Sequence, residues 1–140
     1  MAEKSASASM ERLFQALSDR TRLRLLNLMT DREVCVCYFI EVLDLPQPKI
    51  SRHLAYLRRT GLVSARREGK WMHYRIVVPE NPFVRQLLMD ILRGLATDKE
   101  MQRDRWLLKR ACCAPKKFVS LHGAPAPTVI GEFAAGREPS

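Results

Sequence analysis

The segment Pro46-Gln47-Pro48-Lys49-Ile50-Ser51-Arg52-His53-Leu54-Ala55-Tyr56-Leu57-Arg58-Arg59-Thr60-Gly61 decides the fold. Pro48 suits the first position of a helix, where its missing N–H costs nothing, and Gln47 sits near the cap. Ile50, Leu54 and Leu57 fall at i, i+4 and i+7 and therefore share one inward face. Gly61 supplies the left-handed stop that ends the helix. The outer face keeps Lys49, Ser51, Arg52, His53, Tyr56, Arg58 and Arg59, a set of long donors, one hydroxyl and one aromatic ring. Such a face is suited to base edges and phosphates; the plainer alternative is an ordinary solvated helix.

Upstream, Asp44-Leu45-Pro46 forms the turn, and a preceding helix is expected from about Val34 or Cys37 to Leu43, with Phe39, Ile40, Val42 and Leu43 available to a core. Ser18-Asp19 offers an N-cap to a mostly buried helix over Thr21 to Thr30, and Met10, Leu13, Phe14 and Leu17 space a first amphipathic helix. Downstream, Leu62 to Val78 switches to a two-residue period, with Met72, Tyr74 and Ile76 on one side and Trp71, His73 and Arg75 on the other. Glu68-Gly69-Lys70 breaks it into a hairpin whose Gly69 takes a positive φ. Helix, turn, helix and basic hairpin is the order of a winged helix-turn-helix, a mainly α (α+β) fold in which Arg66, Arg67 and Lys70 reach along the adjacent DNA backbone or minor groove.

After Pro79-Glu80-Asn81-Pro82 a long helix carries Phe83, Val84, Leu87, Leu88, Ile91, Leu92 and Leu95. So wide an apolar stripe in so small a domain predicts a C-terminal dimerisation helix and a homodimer. The chain therefore divides into a disordered N-terminus over 1–9, a winged helix-turn-helix domain with its dimerisation helices over 10–111, and a Cys pair with a flexible tail over 112–140.

At 140 residues and 46% hydrophobic, the chain can bury one core without disulfides. No apolar run approaches a membrane span, and the Ala- and Ser-rich start lacks the apolar centre of a secretion signal, so a soluble cytoplasmic protein with no membrane partner is expected. The net charge of +9 is concentrated: Pro46 to Arg75 holds eight Lys or Arg against the single Glu68, the footprint of a nucleic-acid binder. Neither a Cys-x-x-Cys motif, a phosphate-cradling glycine loop nor a Ser-His-Asp spacing is present, so the reading is not an enzyme and has no catalytic cofactor.

The four cysteines come as two pairs, Cys35 with Cys37 and Cys112 with Cys113. In a cytosolic chain they read as ligands or sensors before they read as a disulfide framework. Thiols suit soft ions, and the start of a helix lowers their pKa, with Arg32 acting in the same direction. On a regular helix residues i and i+2 point about 200° apart, so both thiols meet one ion only if the helix start is unwound. His53 and His73 lack a second ligand at metal spacing and read as recognition-helix and wing residues; His122 has no evident partner.

On Phe14-Gln15-Ala16-Leu17-Ser18-Asp19-Arg20-Thr21-Arg22-Leu23-Arg24-Leu25-Leu26, Glu33-Val34-Cys35-Val36-Cys37, Gln47 to Arg58, Gly61-Leu62-Val63 and Gly69-Lys70-Trp71-Met72-His73-Tyr74-Arg75, the chain resembles the ArsR/SmtB family of bacterial winged-helix metal-responsive repressors. The resemblance covers roughly Met10 to Leu95. It implies a homodimer that occupies a palindromic double-stranded operator when metal-free and releases it when an inducer binds. The residues expected to meet DNA are Gln47, Lys49, Ser51, Arg52, His53, Tyr56, Arg58, Arg67 and Lys70.

The Cys-Val-Cys element looks like the arsenic-sensing version of the family, whose inducer is trivalent arsenic or antimony. There a third thiol stands three residues further on; here that position is Ile40, so the third ligand comes from elsewhere. Cys112 or Cys113, from the same or the opposite subunit, is one source. The vicinal pair as an independent site is another reading, and a redox sensor of the same fold, its thiols oxidising to a disulfide, is the functional alternative.

Overall fold

The chain is described by a computed structural model over residues 6–113, 121 and 123–130. Its first corner is set by Asp19, whose carboxylate accepts hydrogen bonds from the backbone N–H groups of Thr21 at 2.8 Å and Arg22 at 3.2 Å. That cap separates α1 (Ala6–Leu17) from α2 (Arg20–Leu28) by satisfying two donors that the second helix would leave unpaired. α1 begins at Ala6, inside the stretch expected to be disordered: Ala and Ser here extend the amphipathic segment backwards at little entropic cost.

Between α2 and the next helix lies β1 (Arg32–Cys35), a strand that the apolar spacing did not predict. α3 is consequently short, Val36–Leu43, with Cys35 as its N-cap in extended conformation. Asp44 at its C-cap is left-handed, φ 55°, and turns the chain into Pro46 and α4 (Gln47–Arg59). Ile50, Leu54 and Leu57 are fully buried, as their spacing requires. Gly61, at φ 81°, ends α4.

β2 (Val63–Glu68) and β3 (Trp71–Ile76) form the wing hairpin, and Gly69 at φ 61° makes its turn. The sheet order is β2-β3-β1-β4, so β3 is central and β1 pairs with it antiparallel, Val34 opposite Tyr74 and Cys35 opposite His73. The two-residue alternation of the hairpin places His73, buried, on the same sheet face as Cys35, while Tyr74 on the other face packs its ring tilted against Phe39 of α3.

Asn81 caps α5 (Pro82–Leu95), which packs Val84, Leu88 and Leu92 inward against α1 and α2. The other half of its stripe, Leu87, Ile91 and Leu95, stays half-buried, and Phe83 is 74% exposed. α6 (Lys99–Cys113) folds back over α2 and α3. Arg24 grips the buried Asp104 with two hydrogen bonds, 2.8 and 3.0 Å, and Asn27 donates to the Met101 carbonyl at 3.0 Å.

The segment expected to be a flexible tail is partly built into the sheet. Leu121 is buried, a Cβ added at Gly123 would meet the Trp71 ring at 3.9 Å, and β4 (Thr128–Val129) pairs with Arg32 and Glu33 on the open edge of β1. A strand edge with unpaired N–H and C=O groups attracts such cover whatever the composition of the covering segment.

Candidate nucleic-acid interface and thiol site

With its apolar residues buried, α4 presents Gln47, Ser51, Arg52 and Arg58 to solvent and Lys49 half-buried. His53 and Tyr56, expected on the reading face, are half-buried because α2 reaches them. The Arg22 guanidinium stacks 4.1 Å from the Tyr56 ring centre and lies 3.3 Å from His53 Nδ1, while donating to the carbonyls of Ala16 at 2.9 Å and Gln15 at 3.1 Å. Arg59 covers the same ring at 5.4 Å. Burial, with the surrounding Arg22, Arg52 and Lys49 opposing the attraction of Asp19, holds the His53 pKa below its ordinary value. Its imidazole is thus neutral at neutral pH and can accept from Arg22. Arg22 fixes the pitch of α4 against the α1–α2 corner, a role that sequence spacing did not reveal.

On the wing Arg67 and Lys70 are exposed, Lys70 lying 4.9 Å from the Trp71 ring centre. Arg66, expected to reach along DNA, is turned toward β1. It forms a two-pronged bond with Glu33 of β1, 2.7 and 3.3 Å, because that carboxylate is buried and needs a cation. The Arg66 hydrogen bonds pull the Glu33 pKa below the usual carboxylate value against its burial.

The thiol pair sits at the junction of β1 and α3. Cys35 is extended, φ −73° and ψ 144°, and Cys37 lies in the first helical turn, which puts their sulfurs 3.3 Å apart with Cys37 donating to Cys35. The expected need to unwind the helix is thereby corrected: Cys35 never enters the helix, so the 200° divergence does not arise. Cys35 is pulled down to about 6 by the Cys37 hydrogen bond first, then by the backbone N–H of Cys37, the nearby His73 and the N–H of Val36, with burial opposing. Cys37, which holds the shared proton, is pushed up. The hydrogen bond thus favours the thiolate at Cys35 and the thiol at Cys37.

His73 stands opposite Cys35 with its Nε2 2.8 Å from the Glu68 carboxylate, so a wing imidazole held by a carboxylate lies beside the thiol pair. Arg32, expected to assist Cys35, acts on Cys112 instead, where it opposes the rise that burial imposes. Cys112 is half-buried at the end of α6 and Cys113 is exposed. The structure therefore gathers Cys35 with Cys37; among the described residues no three His, Cys, Asp or Glu side chains are grouped to hold one ion. His122 lies outside the described residues. Two sulfurs 3.3 Å apart can be bridged by one soft ion with bonds of about 2.3 Å, so the pair fits such a ligand as it stands.

A family model described as bacterial regulatory protein, arsR family, matches residues 19–65, which run from the Asp19 cap to the first wing strand. The arsenical resistance operon repressor of Escherichia coli K12 is 52% identical over 108 residues, covering 76% of this chain and 92% of that protein. Among solved structures, HlyU from Vibrio cholerae N16961 superposes with a TM-score of 0.57 at 30% identity over 66% of this chain and 97% of its own. A homodimeric winged helix-turn-helix DNA-binding domain from Mycobacterium bovis superposes with a TM-score of 0.52 at 28% identity, over 70% of this chain and 92% of its own.

Proposed function

The chain belongs to the arsR family of bacterial regulatory proteins and is a DNA-binding transcriptional regulator, not an enzyme; from that premise we propose that it is a homodimeric repressor whose operator is released when trivalent arsenic or antimony is captured by Cys35 and Cys37. The observation that carries this reading is the 3.3 Å thiolate–thiol pair at the end of a strand hydrogen-bonded to the wing. The E. coli relative is by name an arsenical resistance operon repressor, and the likeness to it spans the thiol pair.

In this reading Gln47, Lys49, Ser51, Arg52 and Arg58 meet the major groove, His53 and Tyr56 hold the helix at its pitch, and Arg67 and Lys70 follow the flanking backbone. The dimer forms through the uncovered half of α5, with Phe83 at its start and Phe14 of the adjacent α1, both exposed in the single chain. The third sulfur is Cys112, which is packed against the core beside α3, whereas Cys113 points to solvent. Recruiting Cys112 to an ion already held by the pair pulls on Cys35 and Cys37 together, and β1 hands that pull to the wing through its pairing with β3 and the Glu33–Arg66 bridge. Moving the operator from nearly full to nearly empty requires the ligand to prefer the released state by about 5 kcal/mol.

The test is operator binding by fluorescence anisotropy, titrated with arsenite, for the wild type and for Cys35→Ser, Cys37→Ser, Cys112→Ser and Cys113→Ser. The first three should need far more arsenite than the wild type and the fourth should match it. An undiminished response in Cys35→Ser or Cys37→Ser overturns the site. The same sulfur separation also permits oxidation to a Cys35–Cys37 disulfide, two electrons and two protons passing to an oxidant such as peroxide. Release by peroxide, with arsenite inert, replaces metalloid sensing by redox sensing.

A further inference from the structure

Tyr38 follows Cys37 in α3, is fully buried, and its hydroxyl has no hydrogen-bond partner among the described residues. An O–H taken out of water without an acceptor is costly, and native chains keep few of them. The neighbouring Phe39 is equally buried and carries no such donor, so packing alone does not call for the hydroxyl. α3 packs against α6, whose end carries the half-buried Cys112 against the core, and Tyr38 directly follows Cys37; burial first, then Cys112, Cys37 and Cys35, push the Tyr38 pKa up. An unpaired donor therefore shares its surroundings with the thiol pair and with the half-buried thiol at the end of α6.

We propose that Tyr38 is a specificity-determining residue of the thiol site, its O–H held ready for a hydrogen-bond acceptor at the third coordination position of a trivalent metalloid bound by Cys35 and Cys37. This rests on the metalloid reading of the pair. Each As–S bond that forms takes one hydroxide from arsenic, which leaves as water with a proton from the thiol or from solvent. After two such exchanges arsenite keeps one hydroxide oxygen, later replaced by the Cys112 sulfur, and either atom accepts from Tyr38. In methylarsonous acid the third position is a methyl carbon, which accepts nothing. The hydroxyl thus favours inorganic over methylated arsenic, and the cost of its isolation is recovered only when an acceptor arrives.

The experiment compares the full-length wild type with Tyr38→Phe, using arsenite and methylarsonous acid separately. Three quantities are read: operator release by anisotropy, sulfur–arsenic ultraviolet absorption in the absence of DNA, and the melting temperature without ligand. The variant should need severalfold more arsenite, up to about tenfold, for half-saturation in both assays, as loss of one hydrogen bond to a neutral acceptor implies, with an unchanged need for methylarsonous acid. It should melt no lower than the wild type, because it loses an unpaired donor. An arsenite-to-methylarsonous ratio equal to that of the wild type overturns the proposal, and so does a lower melting temperature, which means the hydroxyl is already satisfied. A wild type that binds neither arsenical overturns the metalloid reading itself, and Tyr38 with it.

Discussion

Replacing Arg66 by Met keeps most of the aliphatic stem and removes the guanidinium that reaches Glu33. The Glu33 carboxylate is 8% exposed, so on its own the break resembles that of a buried ion pair, which costs about 3–5 kcal/mol. Arg66, however, is 52% exposed, and pairs open to water are worth only about 0–1 kcal/mol. The bond is two-pronged, and its loss strands a mostly buried charge rather than an exposed one, so the cost falls between the limits, at about 1–2 kcal/mol at neutral pH. The sign with pH follows from Glu33. Its folded pKa lies below its unfolded one, so the stabilisation is complete above the unfolded value and fades as pH falls through the folded value. Urea denaturation of Arg66→Met should therefore show the deficit at pH 7 and a much smaller one well below the ordinary carboxylate range. Equal stabilities of variant and wild type at neutral pH would refute the bridge. The same variant titrated with arsenite on operator DNA should still bind the metalloid but release DNA less completely, because one of the two links from β1 to the wing is gone.

Two further outcomes follow from the same geometry. The ultraviolet thiolate absorption of the wild type minus that of Cys35→Ser should show a step centred near pH 6, and removing the donor in Cys37→Ala should move that step upward. A step that stays in the ordinary thiol range in the wild type contradicts the Cys37-to-Cys35 hydrogen bond. Arg24→Met should destabilise by roughly 3 kcal/mol in urea, since it leaves the 2%-exposed Asp104 carboxylate with no bidentate partner, and Arg24→Met/Asp104→Leu should recover most of that loss. A double variant no more stable than the single one would show that α6 is held by other contacts.

The recognition helix was legible because its punctuation and its periodicity agree: Pro48 near the start, Gly61 at the end, and Ile50, Leu54 and Leu57 on one face. β1 was not, because four residues flanked by helices carry no period of their own; Arg32 to Cys35 is a strand only because β3 lies beside it. That single omission displaced the thiol argument, since Cys35 read as helical pointed away from Cys37, while Cys35 as a strand end meets it. The C-terminal segment was read by its Pro and Gly content, which speaks to local stiffness and not to an open strand edge waiting for Thr128 and Val129. Arg66 reads in the sequence as a wing residue reaching along DNA and Arg22 only as part of the family match, yet each meets a partner distant in sequence, Glu33 and Tyr56 respectively. Tyr38 carries one visible cue, a hydroxyl-bearing ring directly after a cysteine on a helix whose other residues apart from Glu41 are apolar, and only its unpaired burial gives that cue meaning.

α3 has two ends, and each is attached to a different part of the DNA-facing surface. Its N-terminal end is the Cys35 cap and, through β1, the wing; its C-terminal end is the left-handed Asp44 that leads through Pro46 into α4. In the proposed reading, a ligand held by Cys35 and Cys37 acts first on the N-terminal end, where Cys35 is a ladder residue opposite His73. The differential of about 5 kcal/mol that release demands is, for a two-fold dimer, about 2.5 kcal/mol per subunit. Charge-assisted hydrogen bonds are worth about 1.5–3 kcal/mol each, so if Arg67 and Lys70 hold phosphates as proposed, pulling them out of register would supply that amount without any movement of α4. The Arg22 clamp on Tyr56 and His53, which ties α4 to the α1–α2 corner, opposes such a movement in any case. The wing is therefore the part of the surface that the thiols can move at least cost, and the reading helix the part that stays.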